Sequence, residues 1–348
     1  TRAGRLRSLT GGRRQAAKGP RGSAARHYPL HRERGDAVDM NRPVPESTGV
    51  PTTGSHVVVG VDGSEAALHA VDWAALEAER RGLALRIMAC YSVPFYGEPG
   101  TLGTYAIETQ IDAIQQEHHG YAQQAAQRAL ALVPSLSVDS VVVLGSPSVA
   151  LPRAVLPGGE LVVGLSGRSG RLADVVGSVA TTACHHAHVP VIVVPARISR
   201  GEGTSMKKIV VGTDGSPSAV EALQWAYDEA KMAKAELVVV HSWEYPYPDV
   251  NTAEHDMRKR MERDARAQLE GSVASFVDRA KGEGVVLHTK LVEDGPAKAL
   301  IDESGDADLV VVGSRGRGGF TSMLMGSVSR AVVQHAACPV AVIRHPSH

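Results

Sequence analysis

Aromatic residues make up only 4% of the 348-residue chain, and it has just three cysteines. Cys90, Cys184 and Cys338 stand far apart without CxxC spacing. That excludes a disulfide framework and a zinc ribbon, and it fits a reducing cytoplasm. Formal net charge at pH 7 is zero, which removes the electrostatic basis for a nucleic-acid or membrane-surface role. No apolar run approaches the roughly 20 residues that a membrane helix needs. Also missing are the GxxxxGK phosphate loop ending in Ser or Thr, the GxSxG elbow and any candidate triad at informative spacing. No catalytic constellation is therefore indicated.

The first forty residues lack apolar periodicity and carry ten Lys or Arg against three acids. Such a segment cannot build a core. It reads either as a basic or transit-like arm, or as an extension ahead of a natural start at Met40. The second reading is the expectation, with residues 1–55 forming a basic, polar leader.

Beyond the leader the chain repeats itself. HVVVGVDGSEAALHAVDWA begins at His56 and KIVVGTDGSPSAVEALQWA at Lys208. Asp62, Gly63, Ser64 and Trp73 pair with Asp214, Gly215, Ser216 and Trp225 at one constant spacing. Gly164, Gly167, Gly177, Ser178 and Pro190 pair with Gly313, Gly316, Gly326, Ser327 and Pro339 at another, which implies a net gap of three residues between the two blocks. Each half alternates β-branched runs with longer helical stretches, the pattern of a parallel sheet flanked by helices. Five strands per half are expected: 57–61, one ending near Cys90, 138–144, 161–163 and 191–194, then 209–211, one ending near His241, 285–292, 309–312 and 340–343. Long helices are expected near 107–132 and 252–283, with Ser64 and Ser216 as helix N-caps. The stretch HDMRKRMERDARAQLE on the second long helix interleaves acids with bases, so it reads as a solvated face.

The second half carries GSRGRGGFTSMLMGS. Gly313 ends an apolar strand at the carboxyl edge, where open α/β sheets place ligands. Without a side chain there and at Gly316, backbone N–H groups can approach an anion closely. Gly326 and Ser327 open the last helix, whose first N–H groups are unpaired and whose dipole end is positive. Arg315 and Arg317 add positive charge for a polyphosphate. Asp214, at the same edge, suits either ribose hydroxyls or the capping of the helix that follows it.

Both halves resemble universal stress proteins, whose ATP-binding members carry GxxG, nine residues, then Gly-Ser or Gly-Thr. The resemblance implies α/β architecture with two tandem Rossmann-like (adenine nucleotide alpha hydrolase-like) domains, each a five-stranded parallel sheet flanked by helices. They would cover residues 56–198 and 207–345, joined by a linker at 199–206. It further implies ATP between the first and fourth strands, and antiparallel pairing of the two halves through their last strands. In the second half the phosphate loop would be Gly313, Arg315, Gly316, Gly326 and Ser327; Asp214 would hold ribose, and Thr213 and Ser242 would line adenine. The first-half counterparts are Gly164, Gly167, Gly177, Ser178, Asp62, Val61 and Cys90.

The first loop departs from the second, reading GLSGRSGRLADVVGS, with Leu165 and Ser166 in place of Ser314 and Arg315. Arg168 still matches Arg317, but Asp174 introduces an acid, and Pro152 lies inside the preceding helix. The second half is therefore the expected ATP site, with magnesium as a possible companion ion, and the first half a weak one. His185, His186 and His188 near Cys184 are not expected to hold a metal, because adjacent helical residues diverge by about 100°; His118 and His119 diverge in the same way. Trp73 and Trp225 read as core. The function implied is a cytoplasmic, nucleotide-dependent regulator in stress response with at most weak ATP hydrolysis. Protein partners stay unknown and homodimerisation stays open. The alternatives are a slow ATPase or autophosphorylating enzyme, and a nucleotide-free interaction module.

Overall fold

In the first half, β1 (His56–Val61), α1 (Glu65–Arg81), β2 (Ala84–Tyr91), α2 (Thr104–Leu132), β3 (Val138–Leu144), α3 (Pro147–Ala154), β4 (Glu160–Gly164), α4 (Ser178–His186) and β5 (Val191–Val194) follow one another. The second half repeats the series as β6 (Lys208–Gly212), α5 (Pro217–Ala233), β7 (Glu236–Trp243), α6 (Thr252–Glu283), β8 (Leu287–Glu293), α7 (Pro296–Glu303), β9 (Leu309–Gly313), α8 (Ser327–His335) and β10 (Val340–Ile343). The computed structural model describes residues 55–93, 104–167, 176–196, 206–246, 252–317 and 325–344, with side chains from residue 110 in α2 and from residue 255 in α6. The leader ahead of Ser55, the linker ahead of Met206, Arg168 and Asp174 lie outside the described residues.

The two fives of strands join into one ten-stranded sheet in the order β3-β2-β1-β4-β5-β10-β9-β6-β7-β8. Within each half the pairing is parallel, and the halves meet where β10 runs antiparallel to β5, with Ala341 opposite Ile192. The pairing hides the edge that each half would otherwise expose at its last strand. Central strands such as β1 and β9 are apolar along their length because both faces are covered. One face packs on α1, α2, α5 and α6, where Trp73 is buried and Trp225 lies against the cluster. The other packs on α3, α4, α7 and α8.

The N-caps form as read. Ser64 Oγ accepts from Ala67 N at 3.2 Å, and Ser216 Oγ from Ala219 N at 3.3 Å. Ser216→Ala is expected to lower stability by about 1 kcal/mol, read as a shift in the urea midpoint; an unchanged midpoint contradicts this role. One strand start differs from the sequence reading. β8 starts at Leu287 rather than 285, because Gly284 adopts φ 73° and Val285 N donates back to Ala280 O, closing α6. Pro152 lies inside α3, which is eight residues long like α7.

Candidate nucleotide site

The C-terminal ends of β9, β6 and β7 lie side by side in the sheet order, and a cavity of about 470 Å³ opens over them. Thr213, Asp214, Ser242, Gly313, Arg315, Gly316, Gly326 and Ser327 all line it. These residues come from four separate stretches of chain, so the parallel topology, not sequence proximity, brings them together. The volume falls within the usual range for small-ligand sites, roughly 300–1,000 Å³.

Local physics explains the glycines. A Cβ at Gly313 would lie 2.7 Å from the Ser218 carbonyl oxygen, so β9 can pass the first turn of α5 only without one. A Cβ at Gly316 would lie 2.6 Å from Asp214 Oδ2. Gly326 N donates to Ser314 O at 2.9 Å, which folds the loop back onto its own start. Gly326 is the N-cap of α8 and offers no side-chain acceptor. The first N–H groups of α8 are thereby left for an anion, at the positive end of the helix dipole.

Asp214 takes the helix-entry role considered for it and also holds the glycine loop. Its Oδ1 accepts from Ser216 N at 2.9 Å, at the entry to α5, and its Oδ2 accepts from Arg317 N at 2.8 Å, in the glycine loop. Burial works to raise its pKa, but the hydrogen bonds from Ser216 and Arg317 and the Arg317 charge outweigh it and hold the carboxyl below its ordinary range. Asp214 is thus an anion at neutral pH, with lone pairs remaining for hydroxyl donors. Thr213 is fixed by Thr213 N donating to Val240 O at 2.9 Å and by His241 Nδ1 donating to Thr213 O at 2.7 Å.

The first half keeps the same scaffold. A Cβ at Gly167 would lie 2.5 Å from Asp62 Oδ2, and one at Gly164 would lie 2.9 Å from the Ala66 carbonyl carbon. Asp62 Oδ1 accepts from Ser64 N at 3.0 Å. Gly177 N donates to Leu165 O at 2.7 Å, and Gly177 is the N-cap ahead of Ser178. Val61 and Cys90 sit at the ends of paired β1 and β2, and burial pushes the Cys90 thiol up to about 12. The halves differ over the first turn. The Tyr121 ring lies 2.5 Å from where a Gly63 Cβ would be, and the position over Gly215 is taken instead by the Arg317 guanidinium and the Gln268 amide. Tyr121 packs edge-on against His118 at a centroid distance of 5.4 Å, and His118 lies tilted against Tyr91 at 5.8 Å.

Sequence reading missed several residues of the second-half cavity. Gln268 donates from Nε2 to Asp214 O at 2.7 Å, reaching over from α6, and Trp243, Glu244, Pro296 and Leu300 also line the cavity. Gln268 lies within the charged stretch of α6, where periodicity shows only a solvated face. The signal available for Trp243 and Glu244 was their place at the end of β7.

The sequence profile of the universal stress protein family matches residues 55–195 and 206–344. A universal stress protein of Mycobacterium tuberculosis is 34% identical over 308 residues, covering 83% of this chain and 95% of the relative. The crystal structure of a universal stress protein from Archaeoglobus fulgidus covers 84% of this chain and 96% of its own, at 20% identity and a TM-score of 0.59. A universal stress protein solved in complex with cAMP covers 41% of this chain and 99% of its own, at 27% identity and a TM-score of 0.32.

Proposed function

Because the chain belongs to the universal stress protein family, we propose that it is an ATP-binding regulator whose second-half cavity is the nucleotide site. One observation carries the reading: a single cavity gathers the glycine loop, the uncapped start of α8, Arg315, and the anionic Asp214. Phosphates would take the N–H groups of α8 and the loop, with magnesium accompanying them. Ribose hydroxyls would donate to Asp214, and the base would lie against Thr213 and Ser242. ATP acts here as a ligand. Asp214 ties α5 to the loop through Arg317 N, so occupancy at its carboxylate is felt by the loop, and a regulator changes conformation or partners through such a segment.

In the first half the Tyr121 ring lies over the Asp62 turn, which favours one ATP per chain. Calorimetric titration of ATP with magnesium should show one site per chain and a rise in melting temperature, with the nucleotide recovered unhydrolysed after long incubation. No heat and no melting shift would overturn the reading; accumulation of ADP would replace the ligand role with an ATPase one.

A further inference from the structure

A second cavity, of about 370 Å³, lies between α6 and the outer strand β8 and shares only Trp243 with the cavity over the glycine loop. The charged stretch of α6 interleaves acids and bases in sequence, but the turns of the helix sort them. Arg258, Lys259 and Arg266 line the cavity beside His255 and a single helix acid, Glu262, while Asp256, Asp264 and Glu270 lie outside it with Arg260 and Arg263. β8 adds Leu291 and Glu293. Three cations therefore meet two acids beside an apolar surface made by Trp243 and Leu291.

The two acids do not use up the cations. Arg258 Nη2 donates to Glu293 Oε2 at 2.5 Å, and Arg266 Nη2 to Glu262 Oε1 at 3.1 Å. Each pair engages one terminal nitrogen of a guanidinium that carries five N–H donors, so both arginines keep donors for a second carboxylate. Lys259 makes no hydrogen bond or ion pair among the described residues. The cations also belong to one half. Tyr121 and Gln268 stand over equivalent glycine turns, and counting back from them sets Ile111, Asp112 and His119 of α2 against Arg258, Lys259 and Arg266 of α6.

Arg258 and Arg266 are two turns apart, about 12 Å along the helix axis. A single phosphate or carboxylate reaches one end of such a row. An extended peptide advances about 3.4 Å per residue and points alternate side chains to opposite sides, so about four residues span the row. We infer that this groove docks an acidic segment of a partner protein, with carboxylates at alternate positions toward α6 and apolar side chains between them toward Trp243 and Leu291. No nucleotide in the neighbouring cavity is needed for this docking.

The test is fluorescence anisotropy of a dye-labelled hexapeptide of alternating Glu and Leu, titrated with the full chain at physiological salt. Wild type should bind it saturably, and Lys259→Glu and Arg266→Glu should each weaken binding by at least about tenfold, because each turns an attraction into a repulsion. Arg260→Glu and Arg263→Glu make the same change of net charge on the same helix outside the groove, and should weaken it by less than about threefold. The matching hexapeptide of Lys and Leu should not bind. No saturable binding by wild type, equal binding of the Lys peptide, or equal losses in the two pairs of variants would overturn the docking site. Displacement of the Glu peptide by an equal concentration of inorganic phosphate would overturn it in favour of a small-anion site.

Discussion

Gly316→Val is expected to lower ATP affinity by at least about 100-fold, while Gly167→Val in the first half changes it by less than about twofold. The two substitutions are matched physically. Each places a Cβ against the Oδ2 of the aspartate at the end of the half's first strand, at 2.6 Å from Asp214 and 2.5 Å from Asp62. Either residue must shift its loop, so any general loss of stability appears in both. Only the second shift displaces Arg317 N from Asp214 and turns the loop N–H groups away from the α8 terminus. Losing two hydrogen bonds to charged groups, at about 1.5–3 kcal/mol each, accounts for the factor. Calorimetry on both variants, with melting curves beside it, checks the prediction. Equal losses in the two, or a loss in Gly167→Val alone, would place the nucleotide elsewhere.

The second large effect lies where the halves meet away from the site. Glu77 on α1, Glu229 on α5 and Glu160 at the start of β4 are all buried, at 2%, 1% and 2% exposure. Their carboxylate oxygens come within 4.8 Å of one another. Arg80 and Arg81 share them: both pair with Glu77 and Glu229, and Arg81 Nη2 reaches Glu160 Oε1 at 2.6 Å. Three acids therefore face two bases, and one acid is in excess. Burial raises Glu160 most strongly; Arg81, Arg80 and the Trp225 side chain pull against it, Glu229 pushes with it, and the result is about 7.

The sign follows from linkage. A carboxyl near 4.5 when unfolded and about 7 when folded holds a proton in the folded state across that window. Stability is therefore greatest at the acid end and falls as pH rises from about 4.5 to about 7, by about 3 kcal/mol. Glu160→Gln removes the excess charge without changing shape. It should flatten this dependence and raise stability at pH 8. Arg81→Ala leaves three buried carboxylates with one guanidinium, and should lower stability by about 3–5 kcal/mol. Urea denaturation at pH 5 and pH 8 measures both. A pH dependence in Glu160→Gln equal to that of wild type would contradict the assignment.

The repeat and the β-branched runs made the strands and the N-caps at Ser64 and Ser216 legible in the sequence, because each depends on local pattern or on self-similarity, whereas the antiparallel meeting of the last strands was implied by the family resemblance alone. The cavity residues at the ends of the first and fourth strands of the second half were legible for the same reason: strand end and glycine spacing fix their place. What escaped depends on which helix face meets which neighbour. Glu77 and Glu229 occupy equivalent places in the two repeats, but their burial comes from α1 packing on α5, and Arg80 and Arg81 have Met232 and Ala233 as counterparts. Tyr121 over Gly63, and Gln268 reaching Asp214, likewise depend on the docking of a long helix whose own sequence gives little sign of it.

The location of bound ATP decides between the two halves. A crystal structure of the full chain grown with magnesium and a non-hydrolysable ATP analogue is expected to show the triphosphate on Gly316, Gly326 and Ser327, with ribose at Asp214 and the base between Thr213 and Ser242. A second-half cavity without nucleotide at saturating analogue, or nucleotide bound only over Asp62 and Gly167, would contradict the second-half site.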